Sequence, residues 1–372
     1  MPPRTRCVYG FVAVAFVLMS VSTWAAELPA ALVEEPLAIL THDGLVLAAK
    51  LTRPRGRAVR AGVVLLHGSG ATDMDQTVPG EMTATGVEEK PLRALAWRLA
   101  DEGFAVLRYN KRRVDTDRRF IDPHLIETSS LTDLVQDARR AVATLRARGL
   151  PGGIVLVGHS EGSVIGSLVA ESDPAIAGLA CLAPLANNLR EVLHYQLVER
   201  VETWAWQLVD TDGNGKLSRA ELARAPRYRV PIERLDRDGD GQVDPSELKA
   251  GLEREWQHFL AVQGATSPWL TEHFALESNV VRMRRLTIPI QLFHGEEDAQ
   301  SPLSESQALA RALADRPCGP ATLDTFPGLG HGFSPPLAPD RPTVGPIAPE
   351  VLDAIALRLA SVYFTELYAS KR

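Results

Sequence analysis

Short apolar runs alternate with amphipathic segments along most of the chain. Runs of β-branched and other apolar residues predict strands at 62–66, 104–109, 153–157, 176–183, 288–293 and 321–326. Helical spacing of apolar residues predicts helices at 91–101, 131–148, 163–170, 303–313 and 350–368. Strands that alternate with helices of this length form parallel βαβ units with right-handed crossovers. The pattern therefore predicts an α/β fold with a mostly parallel sheet flanked by helices.

The beginning and the middle of the chain depart from this alternation. Two apolar runs, 37–41 and 45–49, flank the turn residues His42-Asp43-Gly44 and predict an antiparallel hairpin at the edge of the sheet. The alternation stops near residue 185 and resumes near residue 288. We therefore expect an α/β core in two parts, 27–185 and 286–372, with a helical insertion at 186–285.

The composition sets broad limits on the kind of protein. At 372 residues with 45% hydrophobic residues, the chain is long enough for one large core plus an insertion. The formal net charge of −6 gives no basic surface of the kind that binds nucleic acid. We expect small-molecule partners and no nucleic acid.

The first 26 residues have the features of a secretory signal peptide. Arg4 and Arg6 precede an apolar run at 8–21, and small residues follow at 25–26. The run is shorter than the roughly 18–20 residues of a membrane span, which makes an uncleaved anchor the weaker alternative. We expect export to the periplasm or the medium, with no membrane span left after cleavage. Of the three cysteines, Cys7 lies in the signal and two remain, too few for a disulfide framework.

One pentapeptide, Gly158-His159-Ser160-Glu161-Gly162, joins the predicted strand at 153–157 to the helix at 163–170. A serine can occupy a sharp strand-to-helix corner only where the flanking residues lack clashing Cβ atoms, so the pattern G-x-S-x-G needs glycine at both ends. In this context the pentapeptide predicts a nucleophile elbow, with Ser160 as the nucleophile.

Groups that could activate such a serine follow later strands. A serine hydroxyl is a weak nucleophile until an imidazole takes its proton and a carboxylate orients the imidazole. His331 and Asp298 each follow a predicted strand, and Glu296 and Glu297 are alternative carboxylates. The other histidines, such as His159, His194 and His258, are interpreted as packing or surface residues.

A glycine-rich segment, His67-Gly68-Ser69-Gly70, follows the strand at 62–66. Backbone of this kind at a strand end can point amide N–H groups into a cleft, where they would stabilise an oxyanion. We interpret His67 itself as a structural loop residue rather than an acid or base.

Taken together, these motifs resemble the α/β-hydrolase family over roughly 63–368, apart from the insertion. The order Ser160, Asp298, His331 is the family's order, and the family's spacing after His294-Gly295 favours Asp298 as the carboxylate. The resemblance implies that Ser160 is the nucleophile, His331 the general base and then acid, and Asp298 the orienting group. It also implies an oxyanion hole formed by the backbone amides of Ser69 and Glu161, and a cap at the position of the insertion.

The resemblance has two further consequences. Relatives usually place an aspartate, an arginine and several glycines where this chain has Asn110-Lys111-Arg112-Arg113, so the shape of that loop stays open. The family's strand order puts one strand between the strands near Cys181 and Cys318, which implies a separation of roughly 10 Å, more than a disulfide tolerates. We therefore expect two unpaired thiols.

The insertion contains two acidic twelve-residue segments, 210–221 and 236–247, which resemble paired EF-hand calcium loops. Each places oxygen ligands at alternate positions, glycine at position six and glutamate at position twelve. The predicted ligands are Asp210, Asp212, Asn214, Lys216, Ser218 and Glu221 in the first loop, and Asp236, Asp238, Asp240, Gln242, Asp244 and Glu247 in the second. Lys216 and Gln242 would contribute backbone carbonyls. We expect two calcium ions, and acidic surface turns without metal are the alternative.

Other residues of the insertion also carry expectations. Leu217 and Val243, at position eight of each loop, are predicted to pair as a short β-bridge. Four of the six tryptophans lie in or near the insertion at positions 204, 206, 256 and 269. They form either the core of a small helical cap or part of an apolar pocket for acyl or aromatic groups.

The sequence thus favours an exported serine hydrolase that cleaves carboxylic esters through an acyl-enzyme and binds calcium in its cap. A serine aminopeptidase-like amide hydrolase is one alternative, since the same triad cleaves amides. A non-catalytic calcium-binding protein on a hydrolase scaffold is the other.

Overall fold

The computed structural model describes residues 27–83, 86–112, 114, 129–224, 232–336 and 345–364. The predicted signal peptide and Arg113 lie outside these ranges. The strands are β1 (Leu32–Leu40), β2 (Val46–Pro54), β3 (Ala61–Leu66), β4 (Phe104–Tyr109), β5 (Ile154–His159), β6 (Ile176–Leu182), β7 (Leu217–Ser218), β8 (Gln242–Val243), β9 (Ile290–Gly295) and β10 (Thr322–Phe326). Within the described ranges, no helix combines the length and apolar character needed to cross a bilayer.

The α-helices flank the sheet or belong to the insertion. Around the sheet lie α1 (Pro91–Glu102), α2 (Leu131–Arg146), α3 (Glu161–Ser172), α11 (Leu303–Ala312) and α12 (Pro349–Tyr363). Between β6 and β9 lie α4 (Leu189–His194), α5 (Arg200–Trp204), α6 (Arg219–Arg224), α7 (Ile232–Leu235), α8 (Pro245–Thr266), α9 (Pro268–Ala275) and α10 (Asn279–Arg284). A short 3₁₀ helix spans Gly80–Met82.

The main sheet has eight strands in the order β1-β2-β4-β3-β5-β6-β9-β10. Within this sheet the six strands β4, β3, β5, β6, β9 and β10 run parallel, and β1 and β2 form the predicted antiparallel hairpin at one edge. The mostly parallel sheet is therefore confirmed. β9 starts at Ile290, two residues later than predicted, because Pro289 has no N–H to donate to a neighbouring strand.

Apolar side chains cover both faces of the sheet. Ile165 of α3 and Leu309 of α11 pack in the cluster on one face, and Leu95 of α1 and Ile355 of α12 pack in the cluster on the other. Full burial of side chains of this size stabilises the fold by about 1.5–3 kcal/mol each. The parallel strands are thus held from both sides, which fixes the positions of the loops at their carboxyl ends.

The insertion has a core of its own. Val198, Leu217, Val243 and Trp256 are buried together there. Two π-helical turns, Tyr195–Glu199 and Ala205–Val209, interrupt the helix that leads to the first acidic loop. The sequence pattern did not predict α9 and α10, which connect this core back to the sheet.

The two cysteines in the described residues are both free. Cys181 is buried in β6, and Cys318 is exposed just before β10. Because β9 lies between β6 and β10, the predicted separation by one strand is confirmed.

Candidate active site

Ser160 stands at the turn between β5 and α3 in a strained backbone conformation. Its φ of 52° and ψ of −118° lie in a region that residues other than glycine rarely occupy. A Cβ atom on Gly158 would overlap the carbonyl group of Gly162, and a Cβ atom on Gly162 would overlap the carbonyl group of Leu66. The glycines at both ends of the pentapeptide are therefore required by close backbone packing, as the elbow interpretation predicted.

His331 and Asp298 lie against each other beyond β10 and β9. Nδ1 of His331 is 2.7 Å from Oδ2 of Asp298, whose side chain is fully buried. The other oxygen, Oδ1, accepts hydrogen bonds from the amides of Gln300 (2.8 Å) and Ser301 (2.9 Å). Burial acts to raise the pKa of Asp298, but the charge and hydrogen bond of His331 outweigh it and lower that pKa below its ordinary value. Asp298 is thus a carboxylate held ready to orient an imidazole.

The alternative carboxylates are both exposed. Glu296 is exposed and accepts a 2.7 Å hydrogen bond from Oγ1 of Thr325, and Glu297 is also exposed. Of the three acidic side chains in this loop, Asp298 is therefore the one in contact with His331.

His159, interpreted from the sequence as a packing or surface residue, contacts the His331 loop. Its Nε2 donates a 2.9 Å hydrogen bond to the carbonyl oxygen of His331, and its Nδ1 lies 3.3 Å from Nε2 of Gln76. The two imidazole rings are 4.8 Å apart between centroids. Burial and the neighbouring His331 lower the pKa of His159 to about 4, so the ring is neutral at pH 7. This neutral ring anchors the His331 backbone beside the serine.

His294 organises the loop that carries Asp298. Its Nδ1 lies 2.6 Å from Oγ of Ser306, and its Nε2 donates to the carbonyl oxygen of Ser301 over 2.8 Å. The ring is fully buried, and burial lowers its pKa. Its role is to fix the backbone that supplies two amides to Asp298.

The segment after β3 lies directly beside the nucleophile position. A Cβ atom on Gly68 would come within 3.4 Å of Cβ of Ser160, so Ser69 follows at the edge of the same site. Glu161 is the first residue of α3, where a backbone N–H has no acceptor within the helix. His67 is buried edge-on against Tyr109, and burial lowers its pKa to about 3. That neutral, enclosed ring fits the structural role predicted for it.

The loop after β4, whose shape the sequence left open, is rich in buried charge. Oδ1 of Asn110 accepts a 2.8 Å hydrogen bond from the amide of Met74. Arg112 pairs with both oxygens of Asp137, at 2.7 and 2.9 Å. The neighbouring Lys111 points toward the elbow, with Nζ 2.8 Å from Oε2 of Glu161. No sequence motif marks Lys111 as part of a site.

A cavity of about 510 Å³ opens beside the elbow, between the sheet and the insertion. Its lining is mainly apolar on the insertion side and includes Gly70, Lys111, Glu161, Leu193, Phe259, Trp269 and Leu270. A larger cavity of about 690 Å³ lies between α4 and the start of α11, and none of its lining residues belongs to the elbow. The smaller cavity is therefore the candidate substrate pocket.

The four tryptophans near the insertion divide between the two roles considered for them. Trp256 and Trp206 pack in the core of the insertion, and Trp204 lies under the guanidinium of Arg200. Trp269 lines the cavity beside the elbow and donates a hydrogen bond to Oε1 of Glu161. One of the four thus belongs to the candidate pocket.

The two acidic loops bring their side chains together. Carboxylate oxygens of Asp210, Asp212 and Glu221 lie within 4.8 Å of one another in the first loop, and those of Asp236, Asp238 and Asp240 do so in the second. The position-six glycines, Gly215 and Gly241, adopt φ values of 76° and 84°. β7 and β8 pair antiparallel through Leu217 and Val243, as predicted.

Other predicted ligands support the loop backbones. Oε1 of Glu247 accepts a 2.7 Å hydrogen bond from the amide of Arg237, and Oδ1 of Asp244 accepts one of 2.9 Å from the amide of Glu247. Oδ1 of Asn214 accepts a 2.8 Å hydrogen bond from the amide of Lys216, whose Nζ lies 2.8 Å from Oδ2 of Asp240. Ser218 donates from both its amide and its hydroxyl to Glu221. The donor set consists of hard oxygen atoms around a sharp glycine turn, which fits calcium.

Three features define the class as α/β-hydrolase. They are the order of the strands in the sheet, the strained serine corner, and the positions of Ser160, Asp298 and His331 after β5, β9 and β10. A family model described as Serine aminopeptidase, S33 matches residues 90–334, so the chain belongs to that hydrolase family.

Two comparisons with individual proteins agree with this class. The esterase EstD of Thermotoga maritima is 34% identical over 277 residues, which are 74% of this chain and 55% of that protein. The chain thus spans just over half the length of that relative. The solved structure of brefeldin A esterase, described as a bacterial homologue of human hormone sensitive lipase, superposes with a TM-score of 0.50 at 20% identity. That alignment covers 92% of this chain and 81% of the other, and it establishes similarity of fold.

Proposed function

We propose that the protein is an exported serine hydrolase that cleaves carboxylic esters through an acyl-enzyme. The observation that carries the proposal is that strained Ser160 and the bonded His331–Asp298 pair all follow parallel strands of one sheet, and that His159, next to Ser160, is hydrogen-bonded to the His331 backbone. The 34% identity to a protein named as an esterase supports esters as the substrate class.

In the first half of the reaction, Oγ of Ser160 bonds to the carbonyl carbon of the ester and its proton passes to Nε2 of His331. Because Asp298 accepts a hydrogen bond from Nδ1–H, Nε2 of the neutral ring is free to act as the base. The carbonyl π electrons move to oxygen, and the amides of Ser69 and Glu161 stabilise that oxyanion. As the intermediate collapses, the ester C–O bond breaks, and Nε2–H gives its proton to the departing alkoxide.

The second half repeats the sequence with water. Water loses a proton to Nε2 of His331 as its oxygen bonds to the acyl carbon. The bond from that carbon to Oγ of Ser160 then breaks, and Oγ recovers the proton from His331. A carboxylic acid leaves, and the enzyme returns to its starting state.

The pocket beside the elbow favours an apolar group on the substrate. Leu193, Phe259 and Leu270 line the insertion side, and the volume of about 510 Å³ holds a medium-length acyl chain or an aromatic ring. Burial of each methylene group in such a pocket contributes about 0.8 kcal/mol. We therefore expect kcat/KM to rise with acyl length until the chain fills the cavity.

A second candidate activity is cleavage of amides with a free amino terminus, favoured by the description of the matching family as serine aminopeptidases. The two activities share one triad and differ in the leaving group. A panel of p-nitrophenyl esters from acetate to laurate, set against aminoacyl p-nitroanilides, separates them. The ester proposal expects a peak at intermediate chain length and little anilide turnover. Anilide turnover with kcat/KM above that of every ester would replace the ester proposal by the peptidase one.

We propose in addition that the acidic loops bind two calcium ions, which order the insertion as a cap over the pocket. The residues that would hold them are the predicted ligands of loops 210–221 and 236–247, and three carboxylates converge in each loop. Calcium bound there would neutralise the clustered carboxylates and fix the ends of the neighbouring helices. Calorimetric titration of chelator-treated protein should give a stoichiometry of two, and no heat of binding would reject this part of the proposal.

A further inference from the structure

The side chain of Glu161, the residue after the predicted nucleophile, is buried inside the protein. It is 3% exposed, and its carboxylate contacts three donors: Nζ of Lys111 at 2.8 Å, Nε2 of His273 at 3.0 Å, and the indole N–H of Trp269. A buried charge is costly unless it is paired and hydrogen-bonded in this way. An acidic side chain that only interacts favourably with the dipole at the start of α3 could remain in solvent. The burial and pairing of the Glu161 carboxylate therefore indicate a more specific role.

Lys111 joins two segments of the site that are distant in sequence. Besides its ion pair with Glu161, its Nζ donates a 2.6 Å hydrogen bond to the carbonyl oxygen of Gly68. Gly68 precedes Ser69, one of the two proposed oxyanion donors, and Glu161 itself supplies the other amide. A single ammonium group therefore connects both halves of the proposed oxyanion hole.

We propose that Lys111 and the side chain of Glu161 are positioning residues that hold the two oxyanion-hole amides at the spacing that the transition state requires. The inference rests on the proposed serine hydrolase function. Oxyanion donors act only when they lie about 2.7–3.1 Å from the developing charge, so an error of a few tenths of an ångström in either loop weakens catalysis.

The charges in this group match the positioning role. Burial acts to raise the pKa of Glu161, but Lys111 and His273 hold it well below its usual range, so the carboxylate is charged at neutral pH. Lys111 is paired with that carboxylate and bonded to the Gly68 carbonyl, which leaves its ammonium engaged on both loops. Lys111 therefore acts through the backbone, and the amides remain the groups that contact the substrate.

The group also reaches the insertion. His273 and Trp269 both belong to α9, so the helix that forms one wall of the pocket rests on Glu161. Correct seating of α9 and correct spacing of the oxyanion hole are therefore linked through one carboxylate.

Steady-state kinetics and inhibition of Lys111→Met, measured with a p-nitrophenyl ester and a trifluoromethyl ketone of the same acyl chain, test the proposal. The ketone forms a tetrahedral adduct with serine, and its oxyanion occupies the hole. We expect kcat to fall about 10- to 100-fold and the inhibition constant of the ketone to rise by a similar factor, with KM within about threefold of wild type. A role limited to fold stability would lower the melting temperature and leave the kcat of the folded fraction and the ketone affinity unchanged.

Two further variants complete the experiment. Lys111→Met leaves the buried Glu161 carboxylate without its closest cation and could unfold the protein for that reason. The double variant Lys111→Met/Glu161→Gln removes both charges and tests the positioning role if the single variant unfolds. Lys90→Met is the control for the loss of one paired lysine charge, because Nζ of Lys90 contacts Glu88, 3.2 Å away, outside the site. Unchanged kcat and ketone affinity in the folded double variant would overturn the positioning role. Wild-type protein without any ester or amide turnover would instead reject the serine hydrolase function on which it rests.

Discussion

The side-chain amide of Gln196 donates a 2.7 Å hydrogen bond to the carbonyl oxygen of Gln300. Gln196 lies in the π-helical turn after α4, on the helical path that ends at the first acidic loop, and Gln300 lies in the loop that holds Asp298. Arg200, one turn further along, donates to the carbonyl oxygen of Ala299 in the same loop. The insertion thus lines the pocket and also contacts the backbone of the loop that supports Asp298, the orienting carboxylate.

Removal of calcium should loosen the insertion first and the Asp298 loop second. If each site is filled to about ten times its dissociation constant, binding contributes about 1.4 kcal/mol per site. We therefore expect chelation to lower the melting temperature by a few degrees. The KM of a medium-chain ester should rise several-fold, while turnover of p-nitrophenyl acetate, which needs little of the pocket, should fall less.

Single-loop variants provide the control for this prediction. Glu221→Gln and Glu247→Gln each remove the position-twelve carboxylate of one loop and should each reduce the calcium stoichiometry from two to one. An equal loss of activity on short and long esters after chelation would show that calcium supports the α/β core instead of the pocket.

Asp298→Asn should lower kcat by about 10³- to 10⁴-fold with little change in KM, since an amide cannot stabilise the protonated form of His331. Glu297→Gln is the matched control on an exposed neighbour in the same loop and should retain wild-type kinetics. Stopped assays with a p-nitrophenyl ester measure both variants. A larger loss in Glu297→Gln than in Asp298→Asn would reassign the orienting carboxylate.

The two cysteines should react differently with an alkylating reagent. Cys318 is exposed, whereas Cys181 is buried and burial raises the pKa of its thiol. Mass spectrometry after iodoacetamide treatment should show one adduct on folded protein that lacks residues 1–26. Unfolding in guanidinium without reductant should give two adducts. Absence of any adduct in the unfolded, unreduced protein would contradict free thiols.

Acid should destabilise the fold in part through Glu34. Burial acts to raise the pKa of this carboxylate, but Arg108, 2.7 Å away, and the indole of Trp97 lower it from 4.5 to about 2. Because the folded-state pKa is below the unfolded value, the stabilisation is complete above about pH 4.5 and is lost as pH falls toward 2. Glu34→Gln should lower the free energy of unfolding at pH 7 and flatten its decline between pH 5 and 2. Denaturant titrations of Glu34→Gln and of the surface control Glu35→Gln measure this, and parallel pH profiles for Glu34→Gln and wild type would contradict it.

The sequence was most informative where local chemistry decides structure. β4 runs from Phe104 to Tyr109 as predicted, because an apolar run directly follows Gly103, which ends α1 with a φ of 114°. The elbow was predictable for the same reason, since its glycines meet backbone atoms only a few residues away or in the adjacent strand. The helices α9 and α10, with eight and six residues, are too short to show a clear helical period.

Long-range pairs were beyond sequence reasoning. Lys111 and Glu161 are separated by 50 positions, and Glu161 and His273 by 112. Each residue alone is typical of a solvated surface charge, and only the fold brings them together in a buried group. His159 is buried, in agreement with its interpretation as a packing residue, but its partner could not be predicted because it is a backbone carbonyl 172 positions away. The one sequence feature that pointed toward this buried group was the unusual Asn110-Lys111-Arg112 segment at the end of a buried strand.

Labelling with a fluorophosphonate probe, followed by peptide mass spectrometry, tests the central claim most directly. Ser160 is half-buried at a strained corner beside the candidate pocket, so the probe should form one covalent adduct per chain, on Ser160. Ser160→Ala should show no adduct and lose at least about 10³-fold in ester turnover, while its calcium stoichiometry stays at two. Turnover of purified Ser160→Ala at the wild-type rate, or an adduct on another residue of the wild-type protein, would contradict the assignment of Ser160 as the nucleophile.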